Sequence, residues 1–265
     1  MFDGISIGQY FPGDSVLHRI DPRAKIALTV LLIIMVFIAT GFPAYVLLFG
    51  FIIGCALASK IGLPLLWKAV KPILFIVMFT FVLNVFFVPG GNVIFKWAFM
   101  TITDEGLRMA AFLAIRLVLL VMTTQLLTLT TSPIELTDGL EALMKPLSKI
   151  GFPAHELAMM MSIALRFIPT LLEEADKIMK AQMARGADFD SGNLMARAKA
   201  MVPLLVPLFV SAFRRADELA LAMEARCYRG GAHRTRLKVL HFQRLDAIAT
   251  AIVVTLSIAI LLMRW

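Results

Sequence analysis

Long stretches of uninterrupted apolar sequence, more than any motif, limit what this chain can become. Three of them, near 72–88, 107–129 and 245–263, approach or exceed the ~20 residues a helix needs to cross a bilayer. A fourth, 26–58, runs for 33 residues, too long for one ordinary span. Thr40-Gly41-Phe42-Pro43 in its middle has the chemistry of a tight turn. The expectation is two short spans, 24–40 and 43–58, and five spans in all. With 60% hydrophobic and 17% charged residues and a mean hydropathy of +0.85, an ordinary soluble domain is excluded.

Charge orients the spans. Five spans place the Arg19/Arg23/Lys25 tail, the Lys60/Lys68/Lys71 loop and the long 131–244 segment on one side, with 22 of the 26 Lys and Arg. That side is the cytoplasm by the positive-inside rule. The N-terminus is then cytoplasmic and the C-terminus outside. The basic pI follows from this asymmetry, so nucleic-acid binding is not expected. No cleavable signal peptide is evident, because the first apolar run begins only near Ile26. The outer loop 89–106 carries Trp97 among Val93, Ile94, Phe95 and Phe99, which suits the headgroup region. Cys55 and Cys227 should lie at different depths as free thiols.

Residues 131–244 are too charged to be lipid-embedded, yet Met201–Phe213 is an apolar run of intermediate length. Thr131-Ser132-Pro133 followed by Glu135 reads as a helix start. Three amphipathic helices are expected near 133–149, 154–185 and 193–227. The second ends Ala184-Arg185-Gly186 and the third Ala225-Arg226-Cys227, a loose internal repeat. An Arg in a last helical turn complements the helix dipole, and that alone explains one such end. Two such ends on paired helices point to docking, since Arg offers a rigid, always-charged fork. Nine of the 16 methionines fall between 132 and 231, as suits either a surface that accepts several partners or the filling of a helix-pair core. The apolar residues Met159, Met160, Leu165, Leu204 and Leu208 exceed what a two-helix contact needs, so this face is expected to meet another membrane protein. Pro169, Pro203 and Pro207 should bend these helices.

Catalytic constellations are missing. His18, His155, His233 and His241 have no ligand spacing, and no phosphate-binding loop, dinucleotide fingerprint or nucleophile elbow occurs. Acidic residues are absent from 22–103, so the carboxylate chain of an ion-driven carrier is lacking. Arg108 and Arg116 are the ionisable groups expected inside spans. Arg116, near mid-span, needs a partner such as Gln125, Asn84 or a backbone carbonyl. Arg226, Arg229, Arg234, Arg236, Lys238 and Arg244 form a juxtamembrane basic tract.

Leu17-His18-Arg19-Ile20-Asp21-Pro22-Arg23-Ala24-Lys25 before the first span, Leu129-Thr130-Thr131-Ser132-Pro133 after the fourth, and the ends Ala181-Gln182-Met183-Ala184-Arg185-Gly186 and Ala222-Met223-Glu224-Ala225-Arg226 together resemble the transmembrane T component of energy-coupling factor (ECF) transporters. The resemblance covers nearly the whole chain, with Cys227 where that family usually has Gly. It implies an all-α polytopic membrane protein in three parts: 1–130 with four spans, coupling helices in 131–244, and a fifth span in 245–265. It further implies a non-catalytic subunit of a bacterial plasma-membrane importer. Two ATPases, which bind ATP and Mg, would dock at Ala184, Arg185, Gly186, Ala225, Arg226 and Cys227. A separate membrane S component would capture a vitamin or other micronutrient and meet the Met-rich face. Asp21, Pro22, Arg23, Lys25, Arg116, Thr131 and Pro133 are expected to be structural. Pro12-Gly13-Asp14-Ser15 and the Met-rich face suggest the type shared by several S components; a dedicated cobalt, nickel or biotin system is the alternative. A membrane scaffold or channel without ATPases is the rival outside transport by ATP.

Overall fold

The computed structural model describes residues 10–88, 90, 92–97, 100–187, 189, 193–230 and 240–263. Two compact units emerge, one from Gly8–Ala142 with Leu240–Trp265, the other from Leu143–Val239.

The first unit is a helical bundle. After a helical turn, α1 (Val16–Arg19), the chain forms α2 (Pro22–Ile38), α3 (Phe42–Ala58), α4 (Leu63–Phe87), α5 (Asp104–Thr130), α6 (Pro133–Met144) and, after the second unit, α9 (Arg244–Leu262). The 26–58 run breaks as its sequence demands: Gly41 takes φ +87°, and Pro43 sits in the first turn of α3. Asp21 caps α2 by accepting from the Arg23 backbone N–H at 2.9 Å, with Pro22 at the first helical position. Val36, Ala44, Leu48, Ile52 and Leu119 are at most 1% exposed and form the core between α2, α3 and α5.

Two expectations need correction here. The span expected at 72–88 begins nine residues earlier, at Leu63. Lys68 and Lys71, read as a loop, ride exposed on the helix, where long aliphatic stems let their ammonium groups reach the polar boundary. Pro72 does not interrupt the helix. The outer segment also contains a hairpin, β1 (Val93–Trp97) antiparallel to β2 (Met100–Thr103), with Trp97 opposite Met100. Its β-branched and aromatic residues favour an extended chain; the Trp97 side chain lies outside the described residues. Thr103 then caps α5, accepting from Gly106 N–H at 3.1 Å. Gly106 lets α4 and α5 approach closely, since a Cβ there would sit 3.3 Å from the Asn84 carbonyl oxygen.

Large apolar side chains cover the outside of the bundle, with Phe75 79% and Phe87 76% exposed on α4. A soluble protein does not expose such a surface. Four helices, Pro64–Phe87, Asp104–Thr130, Ala154–Ala184 and Arg244–Leu262, are long and apolar enough to cross a membrane, and Phe42–Ala58 is a shorter apolar helix. This is a polytopic all-α membrane protein.

The second unit is a pair of long helices, α7 (Ala154–Ala184) and α8 (Leu194–Ala225). The helix expected over 133–149 ends at Met144 and continues as a 3-10 helix, Lys145–Ile150, because Pro146 has no N–H to continue the α-helical ladder. Arg215 Nη2 donates to Glu174 Oε2 at 2.9 Å, and Tyr228 Oη lies 3.5 Å from His155 Nε2. These pairings, early residue against late, make α7 and α8 antiparallel. Pro169, Pro203 and Pro207 are accommodated inside them.

Candidate functional site

The two sequence stretches before α2 and after α5 meet. Lys25, 7% exposed, donates from Nζ to the Thr130 carbonyl at 2.9 Å, to Thr131 Oγ1 at 3.2 Å and to the His18 carbonyl at 3.3 Å. Three acceptors match the three protons of an ammonium group, which makes burial tolerable. Phe11 N–H donates to the Leu129 carbonyl at 3.0 Å. His18 accepts the Ser15 hydroxyl at Nδ1 (2.6 Å) and donates from Nε2 to the Phe11 carbonyl (3.0 Å). Ser132 caps α6 by accepting from Glu135 N–H at 3.3 Å, with Pro133 next in the helix.

Asp246 completes this knot, and sequence reasoning missed it. Wholly buried, it accepts from the Asp21 backbone N–H at 2.7 Å through Oδ1 and from Gln243 N–H at 2.6 Å through Oδ2. The available signal was Gln243-Arg244-Leu245-Asp246, a capping-box spacing before an apolar run. Arg23 donates from Nη2 to the Leu240 carbonyl at 3.3 Å. The starts of α2, α6 and α9 and the end of α5 thus gather at one end of the bundle, as the four crossings made by α2, α3, α4 and α5 require.

The two Arg ends share one geometry. At the end of α7, Gly186 N–H donates to the Met183 carbonyl at 2.9 Å and Ala187 N–H to the Gln182 carbonyl at 3.0 Å, with Gly186 at φ +89°. At the end of α8, Cys227 N–H donates to Glu224 at 2.8 Å and Tyr228 N–H to Met223 at 3.0 Å, with Cys227 at φ +56°. Both are Schellman motifs, so Cys227 reproduces the turn that Gly186 makes. Arg185 and Arg226 occupy the same capping position in each, and both are exposed, as are Ala184 and Ala225. Because the helices are antiparallel and α7 has 31 residues, the two guanidinium groups lie near opposite ends of a pair about 45 Å long.

The apolar face expected on α7 and α8 is only partly where those residues place it. Met160 is 54% exposed, whereas Leu204 is 5% exposed and packs within the unit; Met159, Leu165 and Leu208 are half-buried. The exposed stripe of α8 is instead Val202, Leu205, Val206, Phe209, Val210 and Phe213. The 201–213 run is apolar almost throughout, so its sequence could not say which side turned inward.

Arg116 also finds a different partner. Nε and Nη2 both donate to Tyr45 Oη, at 3.2 and 2.8 Å, and the guanidinium lies 5.8 Å from the Phe37 ring centre. Asn84 bonds the Thr80 carbonyl instead. Among the described residues no cluster of His, Cys, Asp and Glu could hold a metal ion. His233, Arg234, Arg236 and Lys238 lie outside the described residues.

A family model described as "cobalt transport protein" (CbiQ) matches residues 13–237. Three similar proteins carry the name energy-coupling factor transporter transmembrane protein EcfT. The one from Clostridium kluyveri is 57% identical, covering 100% of this chain and 99% of its own length. That from Acidaminococcus fermentans is 52% identical (100% and 98%), and that from Bacillus subtilis 51% identical (97% and 96%).

Proposed function

We propose, because this chain belongs to the family of energy-coupling factor transporter transmembrane proteins, that it transmits motion from two cytoplasmic ATPases to a separate substrate-binding membrane protein. The chain is a membrane-spanning transporter component. The ATPases hold ATP and Mg and carry out hydrolysis, while this chain holds no cofactor and no catalytic residue. Arg185 and Arg226 dock one ATPase each, and the exposed stripe of α8 with the methionines of α7 meets the S component. The substrate is a vitamin or other micronutrient, captured by that partner. The Lys25 end of the bundle faces the cytoplasm, and the C-terminus faces outward.

One observation carries the docking assignment: two exposed arginines in identical caps near opposite ends of one helix pair. Dipole complementation needs neither the identity of the caps nor their exposure. Inverting a charge contact of this kind costs about 2–5 kcal/mol of binding. Arg185→Glu and Arg226→Glu are therefore expected to weaken capture of the ATPases by about thirtyfold to several thousandfold, and Lys to rescue poorly, having no fork. Co-purification of tagged chain with both ATPases is the measurement. Undiminished capture by the double mutant, with normal uptake, would refute docking. The description of the matching family model, cobalt transport, favours a second reading as part of a dedicated metal system. Co-purification of several different S components, rather than one, decides for the shared type.

A further inference from the structure

Among the described residues, Arg116 is held by one phenol oxygen and no carboxylate. A guanidinium carries five N–H bonds, and two of them go to Tyr45 Oη. The other three have no acceptor among the described residues. None of these nitrogens is among the buried atoms lacking a partner, so the unused edge lies at the surface of the bundle. Phe37, 57% exposed, flanks the group, and Tyr45 is itself stacked on Phe112, with ring centres 5.3 Å apart. The cation is therefore oriented by its surroundings while its outward edge stays free.

Depth sets what the free edge meets. Arg116 lies 14 residues from Thr130, about 21 Å along α5, measured from the end at which Lys25 is buried. Hydrocarbon spans about 30 Å, so the free edge falls within it or near its far boundary, level with the α2–α3 turn. A cation there needs an anion or strong acceptors. Beside it, a groove of about 420 Å³ opens between α3 and α5, lined by Phe42, Val46 and Phe49 and by Ala114, Ile115 and Val118. Tyr45 lies at the depth of Arg116, and the groove extends to either side of it, from Phe42 to Phe49 along α3 and from Ala114 to Val118 along α5.

We propose that Arg116 and this groove bind one phospholipid of the leaflet opposite the Lys25 end, the phosphate on the free guanidinium edge and one acyl chain in the groove. The part of the groove lined by Val46, Phe49 and Val118 lies on the tail side of the guanidinium, where an acyl chain of that leaflet runs. A carboxylate from a partner helix would satisfy the charge but leave the apolar groove beside it unfilled.

The test uses the full chain in nanodiscs of phosphatidylglycerol, or of a diglucosyl diacylglycerol with the same acyl chains, followed by native mass spectrometry at increasing collision energy. Wild type is expected to keep one phosphatidylglycerol after bulk lipid is stripped and to keep the glycolipid at least tenfold less. Arg116→Gln should lose that preference. Val46→Trp, which fills the groove and leaves the charge, should release the bound lipid at lower energy, and it serves if Arg116→Gln does not fold. Equal retention of the two lipids by wild type, or retention unchanged in a folded Arg116→Gln or in Val46→Trp, would overturn the proposal. Loss of S-component capture by Arg116→Gln with lipid retention unchanged would assign the edge to a protein partner instead.

Discussion

Replacing Asp246 by Ala should loosen the bundle at the point where three helices begin. The carboxylate accepts two backbone N–H bonds, 2.7 Å from Asp21 and 2.6 Å from Gln243. The two donors are not equivalent. Asp21 is 6% exposed, so its N–H would stay dry, at a cost of about 2–3 kcal/mol. Gln243 is exposed, so its N–H regains water and only the cap is lost, about 0.5–1 kcal/mol. The sum is about 3 kcal/mol, which at ~2–4 °C per kcal/mol for a chain of this size lowers the unfolding midpoint by roughly 6–12 °C. Asp246→Asn retains one acceptor oxygen but turns a donor toward the second N–H, so about half the loss is expected. Thr255→Ala, on the exposed side of α9, should stay within about 0.5 kcal/mol. Thermal unfolding of the detergent-solubilised chain, followed by tryptophan fluorescence, measures all three. A fall below about 2 °C for Asp246→Ala, or full rescue by Asn, would refute the claim that these two bonds join α9 to the α2 cap.

Cys227→Gly should raise stability by about 1 kcal/mol, because a side chain at φ +56° carries a steric cost that glycine avoids; ATPase capture should not change, and Cys227→Val should lower the unfolding midpoint. Gly139→Leu should cost about 1–3 kcal/mol, since a Cβ there already meets Ile26 Cδ1 at 3.0 Å and Pro22 Cβ at 3.1 Å; accelerated proteolysis between α6 and α7 is the readout. Val206→Glu and Phe209→Glu, on the exposed stripe of α8, should leave folding and ATPase capture intact while S-component capture falls. Leu204→Glu should instead destabilise the unit, and co-purification of each variant with both partner types separates the two outcomes.

Features set by neighbouring residues were readable from the sequence, and those set by distant ones were not. The break at Thr40–Pro43 is local chemistry and appears within a residue or two of its expected place. The early start of α4 was hidden because Lys68 and Lys71 resemble a loop, although a helix end at a polar boundary tolerates exposed lysines. Asp21 and Asp246 are 225 positions apart, and nothing near either residue announces the other. Tyr45 was passed over as a partner for Arg116 in favour of Asn84 and Gln125, because an amide is the more familiar intramembrane acceptor. A phenol stacked on Phe112 serves equally well, and only packing brings it there. The Arg ends lay between these cases: the helix termini were legible, but the shared cap was not, since Cys227 is an unusual residue for that turn.

The same α2 turn holds both connections between the bundle and the helix pair. The chain leaves the bundle through Thr131 and α6, and Lys25 grips that exit at Thr130 and Thr131. It returns at Leu240, whose carbonyl accepts from Arg23, and Asp246 six residues later accepts from the Asp21 N–H. Arg23 and Lys25 stand two residues apart, in the first turn of one helix. On the proposed division of labour, motion driven at Arg185 and Arg226 reaches the bundle along two covalent routes, and both converge on this turn. Lys25 and Asp246 are buried with their hydrogen bonds made, and that is stiff, because any displacement strands a donor or acceptor in a low-dielectric site. The arrangement therefore fixes this end of the bundle; beyond it lie the 3-10 helix at Lys145–Ile150 and Gly151 on one route and Gly230 on the other. Gly151 and Gly230 have φ of +87° and +84°, and an added Cβ at either would meet no atom within 4 Å, so neither glycine is required by packing. Their positive φ, and not close packing, is what suits these two positions to glycine.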